Sequence, residues 1–527
     1  MNRSQLIESL SRECVYDLAV VGGGATGLGV ALDAALRGFS VVLLESHDFA
    51  GGTSSRSTKL LHGGVRYLAQ GNLALVREAL AERATVLRIA PHLAQPLPFV
   101  MPSYKWWQTP FYGIGLKLYD LLAGSAGLGR TEFLSRAQTL QALPGVNPDG
   151  LRGGVKYWDG QFDDARLALA LARSAEAAGA HVLNYAEVTA VRQLSGSESP
   201  LSLVDVTDRR GGGSFQLQAR CVVNATGVWV DALRDHTQPP ANPGTPSRMV
   251  SPSQGVHVVV DRDFMPGGHA LLVPKTRDGR VLFAVPWLGK LVLGTTDTPR
   301  KDLPREPDAF AEELEFILGE ASQALSRPVR SQDIKSLWVG LRPLVAAPAA
   351  AEGSTKVLSR EHTIVVDPNG LVTVTGGKWT TYRAMAEDVL ERCFASQLLP
   401  RRAGGQSATH ELKGAAMASP ATPLHAAPGL HLYGSDGVQV NDCPGQDNAL
   451  GGGLTEAMVR FAARFEHAQT VEDVLARRSR ILFLDAAEAA RLAPAVANIL
   501  QQELGTDPAL QSFLDLSARY LPASNAI

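Results

Sequence analysis

Gly22, Gly24 and Gly27 form a G-x-G-x-x-G turn directly after the apolar run Leu18–Val21, and Glu45 closes the next apolar run, Val41–Leu44. Each position in that pattern has a chemical use. The first glycine permits a tight turn, the second lets a pyrophosphate approach the backbone, and the third lets a helix pack closely on the strand behind it. N–H groups at the start of that helix face the phosphates. A carboxylate ending the second strand accepts the two ribose hydroxyls of an adenosine and repels a 2′-phosphate. The pattern therefore predicts a dinucleotide-binding βαβ unit and disfavours NADP. Gly38 sits where the intervening Ala-rich helix must stop.

Three later segments choose between NAD and FAD. The run Gly51–Tyr67 is rich in hydroxyls and glycine and carries Arg56, Lys59, His62 and Arg66. A simple NAD domain has no use for it. Within this run Thr53, Ser54, Ser57, Lys59, Leu60, His62 and Gly63 are expected around the cofactor, with Lys59 and His62 ordering the loop more than touching substrate. An amphipathic helix is expected over Asp163–Ala178, followed by strands at His181–Leu183 and Glu187–Val191, the second carrying the cofactor candidate Val188. Cys221–Gly227 then reads as an apolar strand ending in Ala-Thr-Gly, a tail that resembles the second nucleotide contact of two-dinucleotide-domain flavoproteins, with Gly227 at its end. Finally, Leu371–Tyr382 is a strand that turns through Gly376 and Gly377 into a helix whose first residues include Lys378 and Thr380, and a helix N-terminus suits an anionic flavin ring. Three returns of the chain to one ligand imply FAD. No second complete βαβ fingerprint occurs: Gly124–Gly129 lacks a strand, and Gly451–Gly453 lies in a loop-like region. Electrons must therefore enter from the substrate itself.

Three strings narrow the family: Ser57–Leu68 (STKLLHGGVRYL), Trp338–Pro343 (WVGLRP) and Gly376–Arg383 (GGKWTTYR). Together with Tyr119-Asp120, Asp163–Leu167 and Thr470–Arg478, they make the chain similar to the FAD-dependent glycerol-3-phosphate dehydrogenases of the respiratory, aerobic type, from about residue 16 to about residue 506. The resemblance implies oxidation of sn-glycerol 3-phosphate to dihydroxyacetone phosphate, with the electrons passed to a membrane quinone. No motif of the chain itself shows the quinone step. Two alternatives stay open: an oxidase that reduces O₂, and a non-catalytic flavoprotein that serves as a redox sensor.

On that reading the basic residues acquire roles. A phosphate dianion needs several positive donors, and the arginine fork matches its oxygens. Arg66, Arg342 and Lys378 are the candidates, with Tyr67 as a further substrate contact or a packing residue. Surface salt bridges are the alternative role of the two arginines, and a ligand-free lysine at a helix start is that of Lys378. Oxidising a secondary alcohol also requires a base for the hydroxyl proton. His257, before the β-branched run Val258–Val260, is the candidate; His62 is the runner-up, and a histidine merely hydrogen-bonded in a sheet is the other reading. No metal-ligand spacing occurs, so no metal is expected.

These residues need a scaffold. The chain has 527 residues, 45% of them hydrophobic and 19% charged, with a formal net charge of -2, which fits a globular enzyme of two or three domains and gives no reason to expect nucleic-acid binding. The expected fold class is α/β: an FAD-binding, Rossmann-like two-dinucleotide-domain flavoprotein fold with an interleaved antiparallel-sheet substrate or cap domain and a small helical C-terminal domain. The FAD-binding pieces are placed at about 14–80, 160–245 and 350–400, and the cap pieces at about 81–159 and 246–349. Cap strands are expected at Gly255–Val260, Ala270–Pro274, Val281–Pro286 and Leu291–Thr295. The Gly-, Ala- and Pro-rich stretch 401–429 reads as a linker. Helices at Leu454–Glu466, Thr470–Ser479 and Ala486–Glu503 belong to a C-terminal domain over 430–527. Cys14, Cys221, Cys393 and Cys443 are scattered and read as reduced thiols.

No apolar run is long enough to span a bilayer and no signal peptide is recognisable. The protein is therefore expected in the cytoplasm, peripherally associated with the inner face of the cell membrane, with a homodimer as an open option. Tyr104–Tyr112 and Ile114–Leu122, with Lys105 and Lys117 interspersed, are either the core of the cap or the surface that meets lipid.

Overall fold

The computed structural model describes residues 3–10, 15–64, 72–194, 201–237, 248–346, 362–416 and 421–522. Leu18–Val21 is buried at every position, the signature of a strand covered on both faces, and it forms the centre of a parallel ladder. The strand Val15–Val21 pairs with Val41–Leu44 on one side and with Ser214–Asn224 on the other. His181–Leu183 extends the sheet beyond Val41–Leu44, and Leu371–Gly376 extends it beyond Ser214–Asn224. Two antiparallel additions complete it: His362–Val366 beside Leu371–Gly376, and the pair Ala186–Gln193 and Ser202–Asp208 beside Ser214–Asn224.

Register decides where a ligand can sit. Val21 is level with both Leu44 and Asn224, and Asn224 is level with Thr373. Gly22, Glu45 and Ala225 therefore leave the sheet at one carboxyl edge, where open α/β sheets bind ligands. The helix Ala25–Leu36 starts at that edge and packs between the helices Asp164–Ala177 and Tyr382–Ala395. Gly38, at φ +81°, follows its last turn. Asp163 caps Asp164–Ala177 by accepting from the Arg166 amide at 3.2 Å.

Among the described residues the second sheet has ten strands. All four expected cap runs fall in its strands, namely Val250–Asp261, Ala270–Val273, Leu282–Trp287 and Lys290–Gly294. Their mutual pairings are antiparallel, but Ala270–Val273 also pairs in parallel with Ala94–Ser103. Along Val250–Asp261 the faces alternate. Val256, Val258 and Val260 enter one core with Leu314 and Ile317, whereas Val259 enters another shared with the C-terminal helices. Leu60-Leu61, part of the hydroxyl-rich run, also belongs to this second sheet, paired with Gln161 and Gly160.

The C-terminal region is helical: Glu456–Phe465, Ile481–Leu484, Ala486–Leu504 and, unread in the sequence, Leu510–Arg519. The expected helix at Thr470–Ser479 is instead a π-helical turn over Asp473–Arg478. The wider turn brings Arg477 and Arg478 onto the same carboxylate, Asp48; π-turns of this kind favour functional sites over regular packing. The stretch read as a linker is irregular but packed, since Leu412 and Leu424 are buried and Ser407 donates to Asp33 at 2.8 Å. Among the described residues no helix is long and apolar enough to cross a membrane.

Candidate active site

A cavity of about 520 Å³ opens at the carboxyl edge of the parallel sheet, within the size range of cofactor sites. Its lining gathers stretches far apart in the chain, among them Gly22 and Gly24–Thr26, Glu45 and Ser46 with Ala50–Ser54, Glu187–Thr189, Ala225–Trp229, and Val374–Trp379. Of the expected cofactor residues, Gly22, Gly24, Glu45, Thr53, Ser54, Val188, Gly227, Gly377 and Lys378 line it.

The cradle is shaped for a group with an anionic centre. The helix Ala25–Leu36 begins with Gly24 as its cap and carries no acid in its first turn; the Ser54 hydroxyl takes the Ala25 amide, and the positive end of the helix faces the cavity that Gly24–Thr26 line. A Cβ on Gly24 would meet only the Ser54 hydroxyl, at 3.1 Å, and anything larger would fill the cavity. By contrast a Cβ on Gly27 would lie 2.0 Å from the Gly22 carbonyl oxygen, and one on Gly22 2.6 Å from that of Ala225. Gly27 therefore serves helix packing and does not line the cavity. Glu45 is held by the amides of Gly23 at 2.7 Å and His47 at 2.9 Å. Those bonds fix a carboxylate at the strand end where adenosine hydroxyls are read.

The hydroxyl-rich run divides at Ser55. Up to that point it faces the cavity; beyond it the chain turns into the second sheet. Ser57 donates its amide and hydroxyl to Asp164 at 3.1 and 2.7 Å. Lys59 is wholly buried, at φ +66°, with its ammonium 2.7 Å from Asp164 and 4.5 Å from the Trp338 ring centroid. Burial pulls its pKa down to about 7 against the support of Asp164. Leu60 is core, Gly63 donates to Asp159 at 3.3 Å, and Thr380 reaches the His62 carbonyl at 3.5 Å. Ser57, Lys59, Leu60, His62, Gly63 and Thr380 thus stand outside the lining and support it from behind. Arg66 and Tyr67 lie outside the described residues.

Arg342 precedes the lining residue Pro343 on the strand Ser336–Val345. Its fork is oriented by Asp297 at 3.0 Å, Thr295 at 3.2 Å, and the carbonyls of Gln254 and Thr296 at 3.1 and 2.9 Å. A Cβ on Gly255 would meet that guanidinium at 2.2 Å, which is why glycine stands there. His257 is buried against Trp338, the rings stacked at 4.1 Å, with Nε2 3.0 Å from the Thr58 hydroxyl. Burial, then the charges of Lys59 and Arg342, hold its pKa well below the usual imidazole range. Neither His257 nor its partner Thr58 lines the cavity.

Sequence reasoning missed Trp229 and Arg305. Arg305 lines the cavity from the cap side, lies 4.4 Å over the Trp229 ring and donates to Ser46 at 2.9 Å. No local motif marks it, because it is brought there by the fold.

Residues 17–391 match the family described as FAD dependent oxidoreductase, and residues 404–511 match the C-terminal domain of alpha-glycerophosphate oxidase. Over 98% of its length the chain is 36% identical to the mitochondrial glycerol-3-phosphate dehydrogenase of Schizosaccharomyces pombe, covering 89% of that protein. The chain belongs to the FAD-dependent glycerol-3-phosphate dehydrogenase family. The mitochondrial glycerol-3-phosphate dehydrogenase of Homo sapiens is 38% identical over 96% of this chain and 73% of its own. Among solved structures, the glycerol-3-phosphate dehydrogenase of Bacillus halodurans complexed with FAD superposes with a TM-score of 0.76 at 28% identity, covering 99% of this chain and 98% of that one. FAD is the cofactor of this family member, and the glycine cradle, Glu45 and the Gly377-Lys378 turn are the residues that would hold its pyrophosphate, ribose and ring.

Proposed function

We propose that the protein oxidises sn-glycerol 3-phosphate to dihydroxyacetone phosphate and delivers the electrons to a membrane quinone while lying peripherally on the cytoplasmic face of the cell membrane. The observation that supports the reading is a single dinucleotide-type cavity lined by Lys378 and by Pro343, the residue after Arg342, in a chain with no second nucleotide fingerprint. Bound FAD supplies the two-electron acceptor for the hydride leaving C2. Arg342, Lys378 and Arg66 bind the phosphate, with Tyr67 beside them, and His257, next to Thr58, takes up the hydroxyl proton.

Support for the membrane step comes from the helix Gln108–Ala123. Trp107, Phe111, Ile114, Leu118 and Leu121 recur at helical spacing along its outer face, and Phe111, Ile114 and Leu121 are 66%, 69% and 77% exposed. An apolar stripe of this extent on a surface helix marks an interaction site, and Lys105, Lys117 and Trp106 beside it suit an anionic headgroup layer.

Anaerobic titration of the purified holoenzyme with glycerol 3-phosphate tests the proposal: the flavin bleaches, and added quinone restores it. Reoxidation by air alone, with no response to quinone, favours an oxidase, the reading to which the C-terminal match lends weight. A flavin that glycerol 3-phosphate never bleaches leaves the redox-sensor reading.

A further inference from the structure

The turn Thr53–Ser55 is held from four directions. The Thr53 hydroxyl donates to the Leu341 carbonyl at 2.7 Å, next to Arg342. Ser54 accepts on its hydroxyl from the Ala25 amide at 2.9 Å, the first residue of the cofactor helix, and on its carbonyl from the Trp379 indole at 2.9 Å. The fourth hold comes from far along the chain. The Ser55 carbonyl accepts from Lys59 at 2.7 Å and from Arg480 at 2.8 Å.

Arg480 belongs to the C-terminal helical region, and its side chain is wholly buried. The same guanidinium reaches Asp164 at 3.0 Å and the Ala476 carbonyl at 2.9 Å, and it lies 4.4 Å over the Phe483 ring. Asp164 in turn takes the Ser57 amide and hydroxyl and the Lys59 ammonium. Arg480 and Lys59, at φ +68° and +66°, are both non-glycine residues in the left-handed region. Such backbone strain persists only where the surroundings impose it, and it gathers at functional sites. Here two strained cations converge on one carbonyl beneath the cofactor cavity.

We propose that Arg480 is a positioning residue for the flavin: through the Ser55 carbonyl and Asp164, the C-terminal helical region fixes the turn that carries Thr53 and Ser54 against the cofactor. The proposal rests on the FAD-binding reading. One guanidinium nitrogen, Nη2, takes both the Ser55 carbonyl and Asp164, as the Lys59 ammonium also does, while the second, Nη1, donates to the Ala476 carbonyl; a lysine at this position has a single nitrogen and cannot hold Ala476 together with the turn.

The test compares wild type, Arg480→Lys and Arg464→Ala. The last removes a half-exposed partner of Glu503 in the same C-terminal region and serves as control. In Arg480→Lys, FAD should dissociate on the order of tenfold more readily, the effect of one lost charge-assisted hydrogen bond. The visible circular dichroism of the bound flavin should change, and anaerobic flavin reduction should slow on the order of tenfold while the KM for glycerol 3-phosphate stays within about twofold. Arg464→Ala should match wild type throughout. An Arg480→Lys enzyme with wild-type flavin dichroism and FAD affinity overturns the proposal. Hydrogen exchange on the wild-type holoenzyme and its deflavinated form decides the matter even if the lysine variant does not fold. Coupling is reciprocal, so FAD must slow exchange at residues 476–484 as well as at 53–57, and protection confined to 53–57 overturns the proposal. Wild type that takes up no FAD refutes the cofactor reading instead.

Discussion

At the scale of the residue, Gly24 and Gly27 look alike in the fingerprint and differ in consequence. Gly24 has an ordinary backbone, φ -85°, and a Cβ there meets only the Ser54 hydroxyl. Gly24→Val should therefore fold yet purify colourless, and its melting temperature should not rise when FAD is added, because the ligand's mass-action stabilisation is gone. Yellow Gly24→Val protein would contradict the cradle. Arg342 carries the substrate reading. Its replacement by alanine should leave FAD content intact and weaken glycerol 3-phosphate by about 2–4 kcal/mol, the cost of stranding a buried anion, seen as a steep rise in KM. His257 makes a claim about pH. Its depressed pKa keeps the ring neutral and able to accept a proton across neutral pH, so flavin reduction should show no break near the free-imidazole value of about 6.5. His257→Ala should slow single-turnover flavin reduction by roughly 10²–10⁴-fold. A wild-type-like rate in that variant would move the proton to His62 or another group.

At the scale of the element, the strand–turn–helix carrying Gly22 to Gly27, the Ala-Thr-Gly tail and the Gly376-Gly377 turn were legible because each follows a continuous apolar strand, a local pattern with a local cause. The run Gly51–Tyr67 was legible only in its first half. Its composition is uniform, but at Ser55 the backbone changes partners, and beyond it Ser57 and Lys59 answer to Asp164 and Leu60 answers to Gln161. Partners some hundred residues away leave no trace in the run itself. Arg305 is the converse case, a cavity residue with no motif around it. The helix Gln108–Ala123 shows a third kind of ambiguity, since its apolar periodicity is the same whether the stripe faces a core or the outside. The structure turns Gly113, Leu116 and Tyr119 inward and leaves Phe111, Ile114 and Leu121 outside. Fully burying each such side chain is worth about 1.5–3 kcal/mol, so the stripe should carry lipid binding. Wild-type protein should co-float with anionic liposomes, and Phe111→Ser/Ile114→Ser/Leu121→Ser protein should keep its flavin and remain unbound. Equal flotation of the two would place the lipid contact elsewhere.

At the scale of the whole molecule, the C-terminal helices are joined to the cofactor-binding part by buried charge as much as by apolar packing. Asp48, just after the Glu45 strand, receives Arg477 and Arg478 from the π-turn, while Arg166 pairs with Glu466 at 2.8 Å and stacks on Tyr433. None of this pairing could be read from the sequence, where Asp48 and Arg478 are merely two charges far apart. Breaking such a pair by removing one partner costs roughly 3–5 kcal/mol because a buried charge is left uncompensated. Burial alone would raise the Asp48 pKa, and the two guanidiniums outweigh it, holding the carboxyl at about 2 against an ordinary 3.8. A depressed carboxyl pKa contributes stability that is complete above the unfolded-state value and is lost as pH falls through the folded one. The window for Asp48 is therefore from about 3.8 down to about 2. Asp48→Asn should melt well below wild type at pH 7, with the C-terminal region losing hydrogen-exchange protection first. The gap between the two proteins should stay constant from neutral pH down to about 4 and then close as the wild-type carboxyl takes up its proton. A gap that instead widened as the pH fell from 7 to 5 would show that Asp48 titrates as an ordinary buried acid, its pKa raised by desolvation with the arginines paired elsewhere.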